Sequence, residues 1–193
     1  MKKIIALILT VACVFALGAC GNTNAPAGDN AGSTGSTATY ASAEEVMTKV
    51  FDVFSAEVEF FGWGGNMENM VDGKPATFDV SLTEEMTANL IVPADLVGSV
   101  DDAANLMHGM NLNMFTSAAF HVADTAAFAE GYEAAIKSNQ WMCGAPETFA
   151  IIDAGNGYVV TVFGAADLVS AFEGAATTAL EGSTVLSSGA VVE

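Results

Sequence analysis

Soft metal ligands are concentrated in one short stretch of the chain. Met107, His108, Met110 and Met114 bring three thioethers and one imidazole close together in sequence. Thioethers and imidazoles are ligands for Cu(I) when several of them converge. Methionine is also an ordinary filler of irregular core space. We favour core packing over a copper site, and we expect no cofactor.

A thiol and two imidazoles offer a second kind of chemistry. Cys143 paired with His108 or His121 would have the composition of a nucleophile and its base. A catalytic thiolate needs an electropositive setting, whereas this chain has 23 acidic residues and five basic ones. We therefore expect Cys143 to be a small apolar residue, buried where a helix gives way to a strand.

Pairs of neighbouring acids are candidates for calcium binding or acid–base catalysis. They are Glu44-Glu45, Glu84-Glu85 and Asp101-Asp102. None lies in a loop of alternating oxygen ligands of the D-x-D-x-D-G kind, and acids at helix starts are explained by the helix dipole. Calcium binding stays open as an alternative, and no spacing singles out a catalytic pair.

An aromatic, glycine-rich turn is the best candidate for contact with a small ligand or a partner. Phe61, Trp63, Gly64 and Gly65 occur together there. Glycine lets another backbone approach closely, and an exposed tryptophan is a common binding anchor. The competing interpretation, which we favour, is a buried aromatic turn.

The element that opens the folded part of the chain is a helix. Ser42 and Glu45 form a capping box, in which side chains satisfy free N–H groups at a helix start. Val46, Val50 and Phe54 then recur at the spacing of one helix face.

The remaining elements alternate between the sequence periods of strand and helix. In order, they are a strand at 77–82, a helix from 83, a strand at 115–122, a helix from 125 to about 139, a strand at 149–152, a strand at 158–163 and a helix from 167. Asp124 is a good helix N-cap, and Asn156-Gly157 is a strong hairpin turn. The β-α-β-β-α order of the second half predicts an α+β fold, with a small antiparallel sheet and helices packed on one face. Residues 40–182 would form one domain, and residues 183–193 a tail or an edge strand.

The charge balance excludes several classes of ligand. The chain has a net charge of −18, and after residue 19 only three lysines oppose the 23 acidic residues, a net charge of −20. Nucleic-acid phosphates need basic counterions, so we expect no nucleic-acid partner. Anionic lipid head groups would repel such a domain.

The N-terminus has the composition of a secretory signal. Lys2 and Lys3 precede an almost wholly apolar run at 4–17, and Gly18 and Ala19 follow. A basic start, an apolar run and small residues describe a signal peptide. The run is shorter than the roughly 20 residues that a membrane-spanning helix needs.

The motif Leu17-Gly18-Ala19-Cys20 resembles the lipobox of bacterial lipoproteins. The resemblance implies that the Cys20 thiol receives a diacylglyceryl group and that residues 1–19 are removed as a signal peptide. Two acyl chains hold a protein stably at a membrane. Residues 21–39 contain no large apolar side chain, so residues 20–39 are predicted to be the lipidated cysteine and a flexible tether. The implied location is the extracytoplasmic face of the cell membrane.

Two segments of the second half carry a further resemblance. They read MNLNMFTSAAFHVADTAAFAEGYEAAI, from residue 110, and YVVTVFGAADLVSAF, which ends at residue 172. This half is similar to a family of small, uncharacterised bacterial lipoproteins of gut Clostridia-type organisms. The family has no assigned function, so the resemblance implies fold and location alone.

These observations predict a monomeric, lipid-anchored extracytoplasmic protein that serves as a non-catalytic binding or accessory module. Its expected partners are the membrane, through the lipid on Cys20, and an extracellular ligand or protein. The alternatives are an extracellular enzyme that acts on cell-wall or other extracellular material, and a weak copper- or calcium-binding lipoprotein.

Overall fold

The computed structural model describes residues 38–192, and within that range four helices and eight strands form one domain. The helices are α1 (Ala43–Glu57), α2 (Thr83–Leu90), α3 (Thr125–Ser138) and α4 (Ala166–Ala179). The strands are β1 (Gly62–Gly64), β2 (Val71–Asp72), β3 (Ala76–Thr77), β4 (Val100–His108), β5 (Phe115–Val122), β6 (Thr148–Gly155), β7 (Tyr158–Gly164) and β8 (Thr184–Ala190). The predicted signal peptide, Cys20 and all but the last two residues of the predicted tether lie outside the described residues. Between residues 38 and 192, no helix is both long and apolar enough to cross a bilayer.

The strands build a single antiparallel sheet. Their order is β2-β1-β4-β5-β7-β6-β8, and β3 pairs with β4 beside β1. The C-terminal segment forms the edge strand β8, which pairs with β6 from Thr148↔Ala190 to Asp153↔Thr184. The predicted α+β class, the antiparallel sheet and the β-α-β-β-α order of the second half are confirmed.

Helices cover both faces of the sheet, where the sequence predicted helices on one face. α1 and α4 pack on one face, and α2 and α3 pack on the other. The reason lies in the central strands, whose successive side chains are buried on both sides. In β6, Ala150 and Ile152 point towards α1 and α4, whereas Phe149 and Ile151 point towards α2 and α3. A strand that is apolar on both faces needs cover on both.

The sequence pattern does not predict β4, although this strand lies in the middle of the sheet. After Val100 it has two acids and then Ala103, Ala104 and Asn105, so it lacks the alternation of a half-buried strand. Asn105 is fully buried, and it is satisfied there because its Oδ1 accepts a hydrogen bond from the Gly65 N–H at 2.6 Å and its Nδ2 donates to the Gly65 carbonyl at 3.1 Å. A buried polar residue paired in this way is compatible with a sheet interior.

The strand predicted at 77–82 is shorter than expected, and it begins one residue earlier. Only Ala76 and Thr77 form β3. The chain then turns, because the Asp79 carboxylate accepts hydrogen bonds from the Ser81 N–H at 2.9 Å and the Ser81 hydroxyl at 2.7 Å. Such a local side-chain bond competes with strand pairing.

Local helix and turn signals are confirmed where they are strongest. The Ser42 hydroxyl accepts from the Glu45 N–H at 3.2 Å, and the Asp124 carboxylate accepts from the Ala127 N–H at 3.0 Å. The hairpin between β6 and β7 turns at Asn156 and Gly157, with φ of 53° and 81°. These positive angles are what a tight hairpin turn requires.

A buried hydroxyl chain ties the layer of α2 and α3 to the centre of the sheet. Tyr132 of α3 is 1% exposed; its hydroxyl donates to the Leu90 carbonyl at the end of α2, at 2.8 Å. The Thr161 hydroxyl of β7 donates in turn to the Tyr132 oxygen at 3.2 Å. Burial raises the pKa of Tyr132, so its proton stays in place to make the bond to Leu90.

Replacing Tyr132 by Phe should lower the free energy of unfolding by about 2 kcal/mol, since a buried group left unpaired costs ~1–3 kcal/mol. Urea or guanidinium unfolding measures this change. Tyr40→Phe is the matched control, because the Tyr40 hydroxyl is buried without a hydrogen-bond partner among the described residues. A loss for Tyr132→Phe no greater than that of the control would contradict the bridging role of Tyr132.

Candidate functional site

A cleft of about 230 Å³ opens at the end of the sheet where β5 begins and β7 ends. Its walls are the C-terminal end of α2, the 3-10 turn Leu112–Met114 and the loop that follows α3. We call it the carboxamide cleft after four of its residues, Asn89, Asn113, Asn139 and Gln140. The other lining residues are Ala88, Ile91, Leu112, Trp141, Met142 and Phe163.

The α2 wall of the carboxamide cleft is held in a strained conformation. Ile91, directly after α2, has φ of 58° and ψ of 23°, in the left-handed region. That conformation is a genuine outlier for a β-branched residue, and it costs on the order of 1–3 kcal/mol. Ile91 is 9% exposed and packs in the core beside Leu90, which Tyr132 holds. Strain of this kind persists only where the surrounding structure enforces it, and it clusters at functional sites.

The loop wall is fastened to the 3-10 turn by one side chain. The Asn113 Nδ2 donates to the carbonyl oxygens of Met142 and Gly144, both at 2.7 Å. The Asn111 Oδ1 accepts from the Asn113 N–H at 3.0 Å, which caps the turn. Both hydrogens of the Asn113 amide nitrogen are thus used to hold the loop, which leaves its amide oxygen as an acceptor.

The chemistry of the cleft is polar but uncharged. None of its lining residues has an ionisable side chain, although the chain as a whole carries a net charge of −18. The Trp141 ring packs against the Phe163 ring, with 5.3 Å between the centroids. The Trp141 Nε1 is buried and has no hydrogen-bond partner within residues 38–192. A buried donor without a partner is rare in folded proteins, and because this nitrogen has no accessible surface, the indole meets the open cleft with its ring carbons.

The structure does not bring the four predicted copper ligands together. Met107 is fully buried against α2 and α3, whereas Met110 is 84% exposed and Met114 is 43% exposed. The His108 ring packs against Phe60 on the α1 side, at 5.9 Å between centroids. Neighbouring side chains on a strand point to opposite faces, so Met107 and His108 diverge.

The residues of the predicted contact turn, Phe61, Trp63, Gly64 and Gly65, differ in how far they are buried. Phe61 is 69% exposed, whereas Trp63 is half-buried, and Gly64 and Gly65 are buried. A Cβ on Gly64 would lie 2.3 Å from the backbone nitrogen of Ala76, so only glycine lets β1 pass this close to β3. Packing between strands therefore accounts for Gly64, and the positive φ of 86° accounts for Gly65.

The acid pairs occupy three separate places. Glu44-Glu45 and Glu84-Glu85 lie in the first turns of α1 and α2. In β4, the Asp102 Oδ2 accepts from the Ala43 N–H at 2.6 Å and from the Tyr158 hydroxyl at 3.3 Å, and Asp101 contacts the His121 Nδ1 at 2.5 Å. Among the described residues, no three or more His, Cys, Asp or Glu side chains are grouped so that they could hold a metal ion.

The expectation that Cys143 is buried is wrong. Cys143 does lie where a helix gives way to a strand, in the loop between α3 and β6, but it is exposed there. Its φ of 64° and the φ of 99° at Gly144 turn the chain there. His121 lies at the far end of β5, beside Asp101, so the structure does not assemble Cys143 and His121 into a reactive pair.

Sequence reasoning missed the carboxamide cleft. The one signal for it is the run Asn139-Gln140-Trp141, which places two carboxamides and an indole directly after a predicted helix. The other walls come from distant parts of the chain. No protein-family model, curated protein or solved structure matches this chain, so function has to be inferred from its own residues and geometry.

Because Cys143 is exposed, a thiol reagent should label the peptide that contains it in the native protein about as fast as in urea. Exposure and thiolate character set this rate. Labelling of the intact chain followed by mass spectrometry of its peptides measures the two rates. Labelling that needs prior unfolding would show that the loop covers the thiol.

Alkaline pH should destabilise the protein partly through Tyr158. Burial, and then the nearby Asp102 carboxylate, raise the pKa of Tyr158 to about 12. Between the ordinary tyrosine pKa and that value, the unfolded chain loses its proton while the folded chain keeps it. Stability therefore falls as the pH rises through this range.

Tyr158→Phe should make the loss of stability between pH 9.5 and about 12 smaller, because Phe has no proton to lose. Unfolding midpoints at several pH values provide the measurement. Burial also raises the pKa of Tyr40 and of Tyr132, so part of the loss should remain. An unchanged slope in the variant would mean that Tyr158 titrates alike in the folded and unfolded states.

Proposed function

We propose that the protein is a bacterial lipoprotein, attached through Cys20 to the extracytoplasmic face of the cell membrane, and that its α+β domain is a non-catalytic binding module. The observation that carries this proposal is the order of its N-terminal segments. Two lysines, an apolar run at 4–17 and then Leu17-Gly18-Ala19-Cys20 follow one another as in a lipoprotein signal peptide.

The place where the described chain enters the domain supports this arrangement. Tyr40 packs edge-on against Tyr158 at the start of β7, with 5.9 Å between ring centroids. The carboxamide cleft is lined by Phe163 near the end of β7, on the opposite face of the sheet. At about 3.3 Å per residue, β7 is roughly 20 Å long. The chain therefore enters the domain near the start of β7, at Tyr40, whereas the cleft lies near the end of β7.

The charge of the domain supports the same arrangement. After residue 19, three lysines oppose 23 acidic residues. Anionic head groups repel a domain of this charge, so attachment depends on the lipid rather than on the protein surface.

Changing Cys20 to Ala should abolish incorporation of a fatty-acid analogue and move the protein out of the membrane fraction, because no other group would carry the two acyl chains. Metabolic labelling and fractionation of cells that express the intact chain provide the measurement. Cys13→Ala and Cys143→Ala are matched controls that should keep both the label and the location.

Persistent labelling of the Cys20→Ala chain would contradict the lipoprotein assignment. Loss of the label from the Cys13→Ala chain would contradict it equally, since the modified cysteine would then be the wrong one.

A further inference from the structure

The carboxamide cleft is built to exclude charged ligands. Its lining combines four carboxamide side chains, one indole and apolar groups. An ion that entered the cleft would lose water and gain no opposite charge, which is costly. In a chain with 23 acidic residues, a cleft free of carboxylates is a specific feature of the fold.

The polar groups of the cleft match hydroxyl groups. A carboxamide both donates and accepts hydrogen bonds, and so does a hydroxyl. The Asn113 amide oxygen is an acceptor, because its nitrogen is already engaged with the loop. A ligand hydroxyl can donate to this oxygen, and further hydroxyls can pair with the other carboxamides.

The apolar groups of the cleft match the carbon face of a ring. Trp141 and Phe163 lie in contact, and Ile91, Leu112 and Met142 extend this surface. The volume of about 230 Å³ corresponds to roughly eight waters at ~30 Å³ each. That is room for one sugar ring, with any further units left outside in solvent.

The site is also prepared before a ligand arrives. Asn113 holds the loop, and Tyr132 holds the end of α2 next to the strained Ile91. Walls that are already ordered reduce the entropy lost on binding.

We infer that the carboxamide cleft binds one uncharged polyhydroxylated ring, a neutral sugar unit that is either free or at the end of a glycan. This inference rests on the proposed binding module and names its ligand class. The Trp141 ring packs against the carbon face of the sugar, and the carboxamides exchange hydrogen bonds with its hydroxyls.

The test is titration calorimetry on the intact lipidated protein, in a detergent whose head group is not a sugar. The probes are D-glucose, D-galactose, D-mannose, D-xylose and N-acetyl-D-glucosamine, with D-glucuronate and D-glucosamine as charged comparators. At least one neutral probe should bind with a Kd below about 5 mM. Its Kd should change less than about twofold between low and high salt, because no ion pair is formed.

Trp141→Phe should weaken binding of that probe by about three- to tenfold, because the smaller ring offers the sugar less apolar area. Asn139→Asp is a second variant; its side chain is exposed, so folding is preserved while donors are lost and a charge is added. Asn156→Asp makes the same change in the hairpin at the other end of the sheet, and it should leave the Kd unaltered.

A tri- or disaccharide of the best probe separates the two sources of the ligand. Tighter binding of the oligosaccharide identifies glycan ends, and equal binding identifies free sugars. Three results would overturn the inference: no saturable binding of any neutral probe up to about 50 mM, tighter binding of a charged comparator, or a Kd unaffected by both cleft variants. The Cys20 labelling experiment is independent of these results, so the anchor and the ligand class can fail separately.

Discussion

The central strands of this domain are apolar on both faces, and the rest of the structure depends on covering them. A sheet of this kind is stable only between two layers of helices. α1 and α4 supply one layer and α2 and α3 the other. Two polar side chains between the layers are paired within the fold. Asn105 is bonded to the backbone of Gly65, and Tyr132 links the end of α2 to Thr161 in the sheet.

The carboxamide cleft follows from the way in which the second layer ends. α2 ends at Leu90, whose carbonyl accepts a hydrogen bond from the Tyr132 hydroxyl. Ile91 then turns the chain in a strained conformation. The chain after α3 has to return to β6 past the 3-10 turn, and Asn113 holds it there. Carboxamides and an indole line the gap left between these segments. The acidic side chains that set the net charge lie elsewhere, so the cleft stays neutral within a strongly acidic protein.

Much of the second half was within reach of sequence reasoning because its signals are local. Asp124 caps α3 and Asn156-Gly157 makes the hairpin, and each acts over a few residues. The sequence could not predict β4, because the burial of this strand depends on residues far away in the chain. The main example is the hydrogen bond between Asn105 and Gly65. The cleft was out of reach for the same reason, since Asn89, Asn113 and Gln140 meet only after folding. Exposure of Cys143 depends on a left-handed backbone angle that no local pattern indicates for cysteine.

The most direct measurement of the central claim uses the two tryptophans of the chain. Each indole N–H gives its own cross-peak in a ¹H–¹⁵N spectrum of the intact protein. Trp141 lines the carboxamide cleft, whereas Trp63 packs beside β4 and does not line it. Saturation with the best neutral sugar should shift the Trp141 indole peak and leave the Trp63 peak in place. An unmoved Trp141 peak, or a shift confined to Trp63, would contradict the assignment of the cleft as the binding site.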